Sequence, residues 1–196
     1  MRVTKCENSL PSISRAGGVS RLRELHVLGL PLAGRGTGWR GENREVALLR
    51  NQMWCNLVKG LSKDCEFQIP TSTAVITAAE VSLGCQFPRE LTELLSETNG
   101  VKGEYGLGLV WPIERIHEDN HRFRTSSSLK ELYMSFDELL FFADAGNGDQ
   151  FAFPICGRVI RRPDVFVWNH EDDSRTWVAP SLRVYLEWWL TGKIKI

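Results

Sequence analysis

The spacing of apolar and polar positions changes several times along the sequence, and each spacing predicts one kind of element. Between residues 53 and 61 the apolar positions recur at i, i+3, i+4 and i+7, the pattern of an amphipathic helix. The same pattern returns between Pro180 and Gly192, where it predicts a helix near the end of the sequence. The apolar positions of these two helices are Trp54, Leu57, Val58, Leu61, Leu182, Tyr185, Leu186, Trp189 and Leu190.

Three further helices are marked by their ends. One follows the N-cap candidates of residues 71–73 and stops at Gly84, and the next begins at Pro88 and stops at Asn99-Gly100. Another begins after Pro112, where an apolar stripe starts. That stripe consists of Ile113, Ile116 and Phe123.

A block of β-favouring apolar runs lies between the fourth and the last helix, over Leu139–Phe142, Gln150–Ile155 and Asp164–Asn169. The step Asn147-Gly148 is a strong hairpin signal, because both central residues of a tight hairpin turn need positive φ. Gly106–Trp111 adds a short strand before this block. Helices, then a block of strands, then a last helix predict an α+β domain and not an alternating βαβ one.

Residues 1–52 differ from the rest in composition. They hold nine basic and four acidic residues and seven of the 17 glycines, which predicts a disordered basic leader. Leu25–Ala33 resembles the apolar part of a secretory signal, but it begins too far from the N-terminus and contains Pro31. An organellar transit peptide and translated sequence upstream of a start at Met53 are the other interpretations. We place the functional domain at residues 53–196.

Charge and cysteine content narrow the function classes. Of the 24 basic and 24 acidic residues of the chain, 15 basic and 20 acidic ones lie in residues 53–196, and this acidic excess argues against direct nucleic-acid binding by the domain. The five cysteines form no C-x-x-C pair and are odd in number, which indicates reduced thiols of a cytoplasmic protein. No apolar run reaches the roughly 18 residues that span a bilayer, so no membrane partner is expected.

The segment His117-Glu118-Asp119-Asn120-His121 reads as H-E-x-x-H, the pattern with which zinc proteases hold their metal. If Ile113 and Ile116 face inward, the 100° step of a helix turns Glu118 and His121 towards solvent. The charged neighbours make this face wet, whereas a catalytic zinc needs a supported, partly dry surrounding. We therefore expect a solvated helix face, with no metal or other cofactor, and keep a metal-dependent hydrolase as the less favoured alternative.

A second polar cluster lies at the ends of the predicted strands, where neighbouring strands would bring Asp149 close to His170. Acid–base catalysis needs such a pair within hydrogen-bond reach, yet no nucleophile motif such as G-x-S-x-G accompanies it. In the structural interpretation, Asp149 caps the hairpin turn, while His170 and Glu171 satisfy backbone groups where the strand ends. We favour this interpretation over acid–base hydrolysis and predict that the protein is not an enzyme.

Several short motifs occur in a characteristic order. The string Ala79-Glu80-x-x-Leu83-Gly84-x-x-Phe87-Pro88-x-x-Leu91 is followed by Leu95, Asn99-Gly100, Gly148-Asp149 and Trp168-x-His170-Glu171. In this order and spacing the chain resembles the SUKH superfamily, in its Smi/Knr branch of cell-wall assembly regulators and immunity proteins. The resemblance covers roughly residues 53–190. The leader is a departure from the family pattern and takes no role from it.

The resemblance implies a single α+β domain with a mixed, mostly antiparallel sheet and with helices packed on one side. It also implies a non-enzymatic protein. Bacterial members are similar to immunity proteins that bind and neutralise polymorphic or contact-dependent toxins, and fungal members are similar to regulators of cell-wall synthesis. The expected partner is therefore a cognate toxin, with nucleases among the candidate classes, and the alternative function is a regulatory scaffold.

Aromatic and acidic residues near the strand ends form the candidate partner-binding set. Trp188 lies on a different face of the last helix from Leu186 and Trp189, and exposed aromatic residues anchor protein interfaces. The acidic run of residues 171–173 suits the steering of a basic partner such as a nuclease toxin, although it also fits a solvated turn. The candidate residues are Asp149, Trp168, His170, Glu171, Asp172, Asp173 and Trp188.

Overall fold

The predicted apolar stripes form helices in the computed structural model, which describes residues 52–196. The leader prediction concerns residues that, except for Gln52, lie outside this described part, and it stays a prediction. Ser72 and Ser181 cap two helices by accepting backbone N–H groups, and Gly84 ends a helix in the left-handed conformation (φ 68°). The helices of the described part are α1 (Met53–Leu61), α2 (Thr73–Leu83), α3 (Arg89–Glu97), α4 (Ile113–Thr125), α5 (Ser127–Leu132) and α6 (Leu182–Leu190).

The strands of residues 52–196 form two antiparallel sheets, and the predicted α+β class is confirmed. The first sheet has the order β1-β2-β3 and the second β4-β5-β6-β7. The sheets meet where the N–H of Trp111 donates to the carbonyl of Phe142 over 2.7 Å. The strands are β1 (Glu66–Phe67), β2 (Val101–Lys102), β3 (Gly108–Val110), β4 (Leu139–Asp144), β5 (Gln150–Pro154), β6 (Val165–Trp168) and β7 (Arg175–Ala179).

Helices cover both faces of the four-stranded sheet, where the resemblance implied helices on one side. Phe141 contacts Phe123 of α4 with 4.9 Å between ring centroids, whereas the next residue, Phe142, contacts Tyr185 of α6 at 5.4 Å. The physical reason is the sequence of β4, whose first five residues are all apolar and all buried. A strand that is apolar on both sides needs cover on both sides.

The β4–β5 hairpin is formed as the sequence predicts, but its turn is longer. The strands close at the pair Asp144 and Gln150, and residues 145–149 form the loop. Positive φ falls on Gly146 (90°) and Gly148 (106°), not on the adjacent pair Asn147-Gly148. The turn is therefore a five-residue loop that needs two glycines, and its backbone is exposed at both of them.

β7 is an element that the apolar pattern did not predict. Its residues, Arg175–Ala179, pair with β6 as the edge of the sheet.

The helices of residues 52–196 are all too short or too polar to span a bilayer.

Candidate functional site

The β4–β5 and β6–β7 turns are held together by one buried carboxylate. Asp149, 3% exposed, accepts the backbone N–H of His170 at 3.0 Å, and His170 Nδ1 lies 2.7 Å from the same oxygen. Asn147 Nδ2 donates to the second oxygen at 2.9 Å. Burial raises the pKa of Asp149, but the hydrogen bonds from His170 and Asn147 outweigh burial and hold the pKa below its usual value.

Gly148 makes this contact possible. Its φ of 106° is a conformation that L side chains rarely adopt, and a Cβ at this position would lie 2.8 Å from the His170 ring. The glycine thus lets the imidazole lie directly against the turn. Gly148-Asp149 and His170 form one structural unit.

Trp168 and Asp173 form a second clamp, five residues apart in the β6–β7 segment. Trp168 is only 4% exposed and packs edge-on against Phe136, with 5.1 Å between centroids. Its Nε1 donates to Asp173 at 2.7 Å, and the other carboxylate oxygen accepts the N–H of Met134 at 2.7 Å. These two predicted binding residues therefore pack and hydrogen-bond within the domain.

Glu171 and Asp172 are the predicted site residues whose side chains are exposed to solvent. Asn169 Oδ1 accepts the backbone N–H groups of both, which fixes the turn and directs the two carboxylates outward. Hydrogen bonds from Ser174 lower the pKa of Asp172. His170 is partly exposed beside them. This turn is the exposed acidic part of the predicted set.

Tyr105 lies in a turn next to the β4–β5 turn, although the sequence analysis did not select it. The side chain is 98% exposed, and the residue has φ 57°, which is uncommon for a residue other than glycine. The turn of residues 104–107, which we call the Tyr105 turn, touches the β4–β5 turn, since a Cβ on Gly146 would lie 3.3 Å from Leu107. The signal in the sequence was the pair of flanking glycines, Gly103 and Gly106.

Three turns thus form one continuous surface, which we call the loop edge. The β4–β5 turn lies in its centre and contacts the Tyr105 turn on one side and His170 on the other. Glu104, Glu171 and Asp172 are its exposed carboxylates, so the surface is acidic. The loop edge consists of Glu104, Tyr105, Gly146, Asn147, Gly148, His170, Glu171 and Asp172.

Trp188, the remaining predicted residue, lies in a cleft of about 400 Å³ beside the loop edge. It is partly buried and packs edge-on against Trp177, with 6.2 Å between ring centroids. Lys193 Nζ lies over the Trp188 ring at 3.6 Å from its centroid. Asp149 also lines this cleft. The structure therefore brings Trp188 and Asp149 to one cleft.

The residues of the H-E-x-x-H segment make hydrogen bonds to neighbouring elements. His117 Nε2 is hydrogen-bonded to the Ser82 hydroxyl at 2.8 Å, and the rings of His117 and His121 are 6.5 Å apart. Asn120 is fully buried and bridges α4 to Phe141 of β4. Among residues 52–196, no group of three His, Cys, Asp or Glu side chains is placed to hold a metal ion.

Among residues 52–196, the Asp149–His170 pair has no third group of the kind that hydrolysis needs. Among the described residues, the hydrogen bonds of the His170 ring reach Asp149 alone, and no hydroxyl or thiol is hydrogen-bonded to it. The Asp149–His170 pair thus links the β4–β5 turn to the β6–β7 turn. The geometry supports a structural role for this pair.

The helix-end motifs are equally structural. Glu80 accepts the N–H of Phe87 at 2.8 Å and so closes the turn after α2. Asn99 accepts the N–H of Ile113 at the start of α4. Gly100 has φ 94°, and a Cβ there would lie 2.8 Å from the carbonyl oxygen of Val110. The residues that carry the family resemblance hold the fold and leave other positions free for a partner.

Comparison with known protein families gives a match over more than half of the chain. The model of the SUKH_6 family, described as SMI1-KNR4 cell-wall, matches residues 74–186. This range begins in α2 and ends in α6, so it includes the loop edge and most of the cleft. No curated protein matches the chain.

Proposed function

The chain belongs to the SUKH_6 (SMI1-KNR4 cell-wall) family, and on that premise we propose that it is a cytoplasmic immunity protein that binds and neutralises a toxin. The family consists in general of non-catalytic immunity and regulatory binding domains. The proposal adds to this family-level statement a toxin as the partner and the loop edge as the surface that binds it.

The exposure of Tyr105 is the observation that carries the proposal. A folded protein gains little from holding a large aromatic side chain 98% exposed in a left-handed backbone conformation. Tyrosine is enriched among the residues that dominate binding energy, because it buries a large area at a low cost in side-chain entropy. Tyr105 is therefore the central anchor of the proposed interface.

The charge of the loop edge selects the class of partner. Glu104, Glu171 and Asp172 are exposed, and among residues 52–196 no salt bridge engages their carboxylates. An acidic surface attracts a basic partner and speeds its association at low salt. Toxins that act on nucleic acids carry basic surfaces to bind phosphate, so a nuclease toxin suits this edge.

A regulatory scaffold is the second candidate, because the description of the matched family refers to the cell wall. A scaffold would bind a host protein and would give no protection against a toxin. Protection therefore separates the two candidates.

The test is co-expression with toxin domains encoded beside the gene for this chain. Relief of lethality is expected for one of them, with a 1:1 complex measurable by calorimetry. Tyr105→Ala is expected to weaken that complex at least about 30-fold, since a central anchor contributes about 2 kcal/mol or more. Charge reversal at Glu171 and Asp172 is expected to slow association and flatten its dependence on salt.

Matched controls come from the end of β4 opposite the loop edge, where the end of α2 and Glu138 line one cavity. Val81 of α2 is 76% exposed, so Val81→Ala removes an exposed apolar side chain as Tyr105→Ala does. Glu138→Lys reverses an exposed charge as the acidic variants do. If no toxin is neutralised, the immunity function is wrong. If one is neutralised and the loop-edge variants bind like the controls, the function stands and the surface is wrong.

A further inference from the structure

The outer edge of β7 has backbone groups without partners among the described residues. The N–H of Asn169 donates to the carbonyl of Ser174 at 2.9 Å, which makes this a hydrogen-bonded pair. Hydrogen-bonded and non-hydrogen-bonded pairs alternate along an antiparallel ladder. The N–H and C=O groups of Arg175 and Trp177 therefore point away from β6, and within residues 52–196 nothing hydrogen-bonds to them.

This free edge adjoins the cleft that holds Trp188. Trp177 is 46% exposed, lines the cleft and packs edge-on against Trp188. Residues 193–196 also line the cleft, and the N–H groups of Lys193 and Ile194 donate to the carbonyl of Trp188. The cleft is thus lined by two tryptophan rings, one of which belongs to the edge strand.

The charge that the cleft offers is positive. Lys193 and Lys195 line it, and Lys193 is fixed above the Trp188 ring. Asp149 also lines the cleft, but its carboxylate is buried and already accepts hydrogen bonds from His170 and Asn147. The lining residues carry no acidic side chain besides Asp149, so an acidic side chain placed in this cleft would meet the two lysines and, as a free carboxylate, the terminal group of Ile196.

We propose that β7 and this cleft bind an extended, acidic segment of a partner protein by strand addition. Free N–H and C=O groups two residues apart are what an added antiparallel strand pairs with, and alternate side chains of that strand enter the cleft. Exposed edges invite such pairing unless they are covered. Charge complementarity selects an acidic occupant. A second copy of the chain fits poorly, because a twofold contact would bring each basic cleft against its own duplicate.

This surface is distinct from the loop edge and has the opposite charge, so the inference does not rest on the proposed toxin. The probe is a phage-displayed library of random twelve-residue peptides, selected on the full chain. Enriched peptides are expected to carry Asp or Glu at alternate positions beside apolar residues. A synthetic copy of the strongest binder is then measured by fluorescence anisotropy.

The affinity of that peptide is expected to fall at least tenfold for Lys193→Glu combined with Lys195→Glu. Lys130→Glu, which changes an exposed lysine on α5, is the matched control and is expected to leave it within twofold. Methylation of alternate backbone nitrogens of the peptide is expected to abolish binding, because it removes the donors of the added strand. The loop-edge reversal at Glu171 and Asp172 is expected to leave peptide affinity unchanged.

Three results would overturn the inference. The first is a selection that enriches no peptide or that enriches peptides without acidic residues. The second is binding that survives backbone methylation, since strand addition would then be wrong. The third is a dimer in sedimentation that dissociates when Trp177 is replaced by alanine, because the edge would then be covered by a second copy.

Discussion

Replacing Asp149 by alanine separates a structural role for this residue from a role in binding. The carboxylate accepts two groups of His170 and one of Asn147, and it is nearly inaccessible to solvent. Hydrogen bonds to a charged group contribute about 1.5–3 kcal/mol each and are not additive. With the His170 ring partly exposed, we expect Asp149→Ala to lower the free energy of unfolding by about 2–4 kcal/mol.

The assay is urea denaturation at pH 7, followed by tryptophan fluorescence. With an m-value of about 2 kcal/mol per M, a loss of 3 kcal/mol moves the midpoint down by about 1.5 M urea. Asp149→Asn keeps one acceptor oxygen and is expected to lose roughly half as much. Glu171→Ala, which changes an exposed carboxylate next to His170 in the β6–β7 turn, is the control and is expected to change stability by no more than about 0.5 kcal/mol.

A structural role for Asp149 also predicts that its replacement leaves the affinity for a partner unchanged. Folded Asp149→Ala protein, measured well below its unfolding midpoint, should keep its affinity for a partner that Tyr105→Ala disrupts. A variant with unchanged stability and lost affinity would refute the reasoning, because Asp149 would then be a contact residue and the turn would be held by other groups.

Three further predictions concern the same framework. The pKa of Asp149 is lower in the folded than in the unfolded state. The stabilisation by this carboxylate is therefore present above the unfolded pKa of about 3.9 and is lost as the pH falls through the folded pKa. Urea midpoints at pH 7, 5, 4 and 3 should show the difference between wild type and Asp149→Asn closing below about pH 4. Asn120→Ala leaves the buried N–H and C=O of Phe141 unpaired and should cost about 2–5 kcal/mol in the same assay, while His121→Ala changes it by about 0.5 kcal/mol at most. Gly100→Ala forces a side chain into a positive-φ position 2.8 Å from a carbonyl oxygen, and calorimetry should show a loss greater than the roughly 1–2 kcal/mol of the backbone strain alone.

The parts of the fold that the sequence predicts are those governed by neighbouring residues. The end of α2 could be predicted because it requires a left-handed conformation at one residue, which Gly84 adopts easily. The start of α3 could be predicted because the missing N–H of Pro88 costs nothing at a helix N-terminus. β7 escaped prediction because Arg175 and Thr176 follow an acidic run and carry no apolar alternation. Its strand conformation is set by pairing with β6, which a local pattern does not contain.

The candidate site, too, could be predicted only where neighbouring residues determine it. The acidic run of residues 171–173 reads as three equivalent exposed carboxylates, yet Asp173 turns inward to Trp168 and Met134 while Glu171 and Asp172 face solvent. That difference depends on the left-handed φ of 59° at Asp173 and on a segment almost 40 residues away in the chain. Exposure of Tyr105 is likewise a tertiary property, and a sequence pattern gives only the flanking glycines.

These placements separate the residues that carry the family resemblance from those that we propose to bind a partner. Glu80, Asn99, Gly148, Asp149 and Trp168 are engaged in helix ends, turns and the core, so changing them alters the fold before it alters recognition. The exposed side chains of Glu104, Tyr105, Glu171 and Asp172 on the loop edge, and of Lys193 and Lys195 in the cleft, make none of these contacts. If that division is right, exchanging the four exposed loop-edge side chains at positions 104, 105, 171 and 172 between family members should transfer partner choice without loss of stability. Exchanging the Gly148-Asp149 and His170 unit should instead change stability and leave partner choice unchanged. Paired measurements of binding and urea midpoints on both sets of chimeras decide the question, and a partner switch produced by the second set would contradict it.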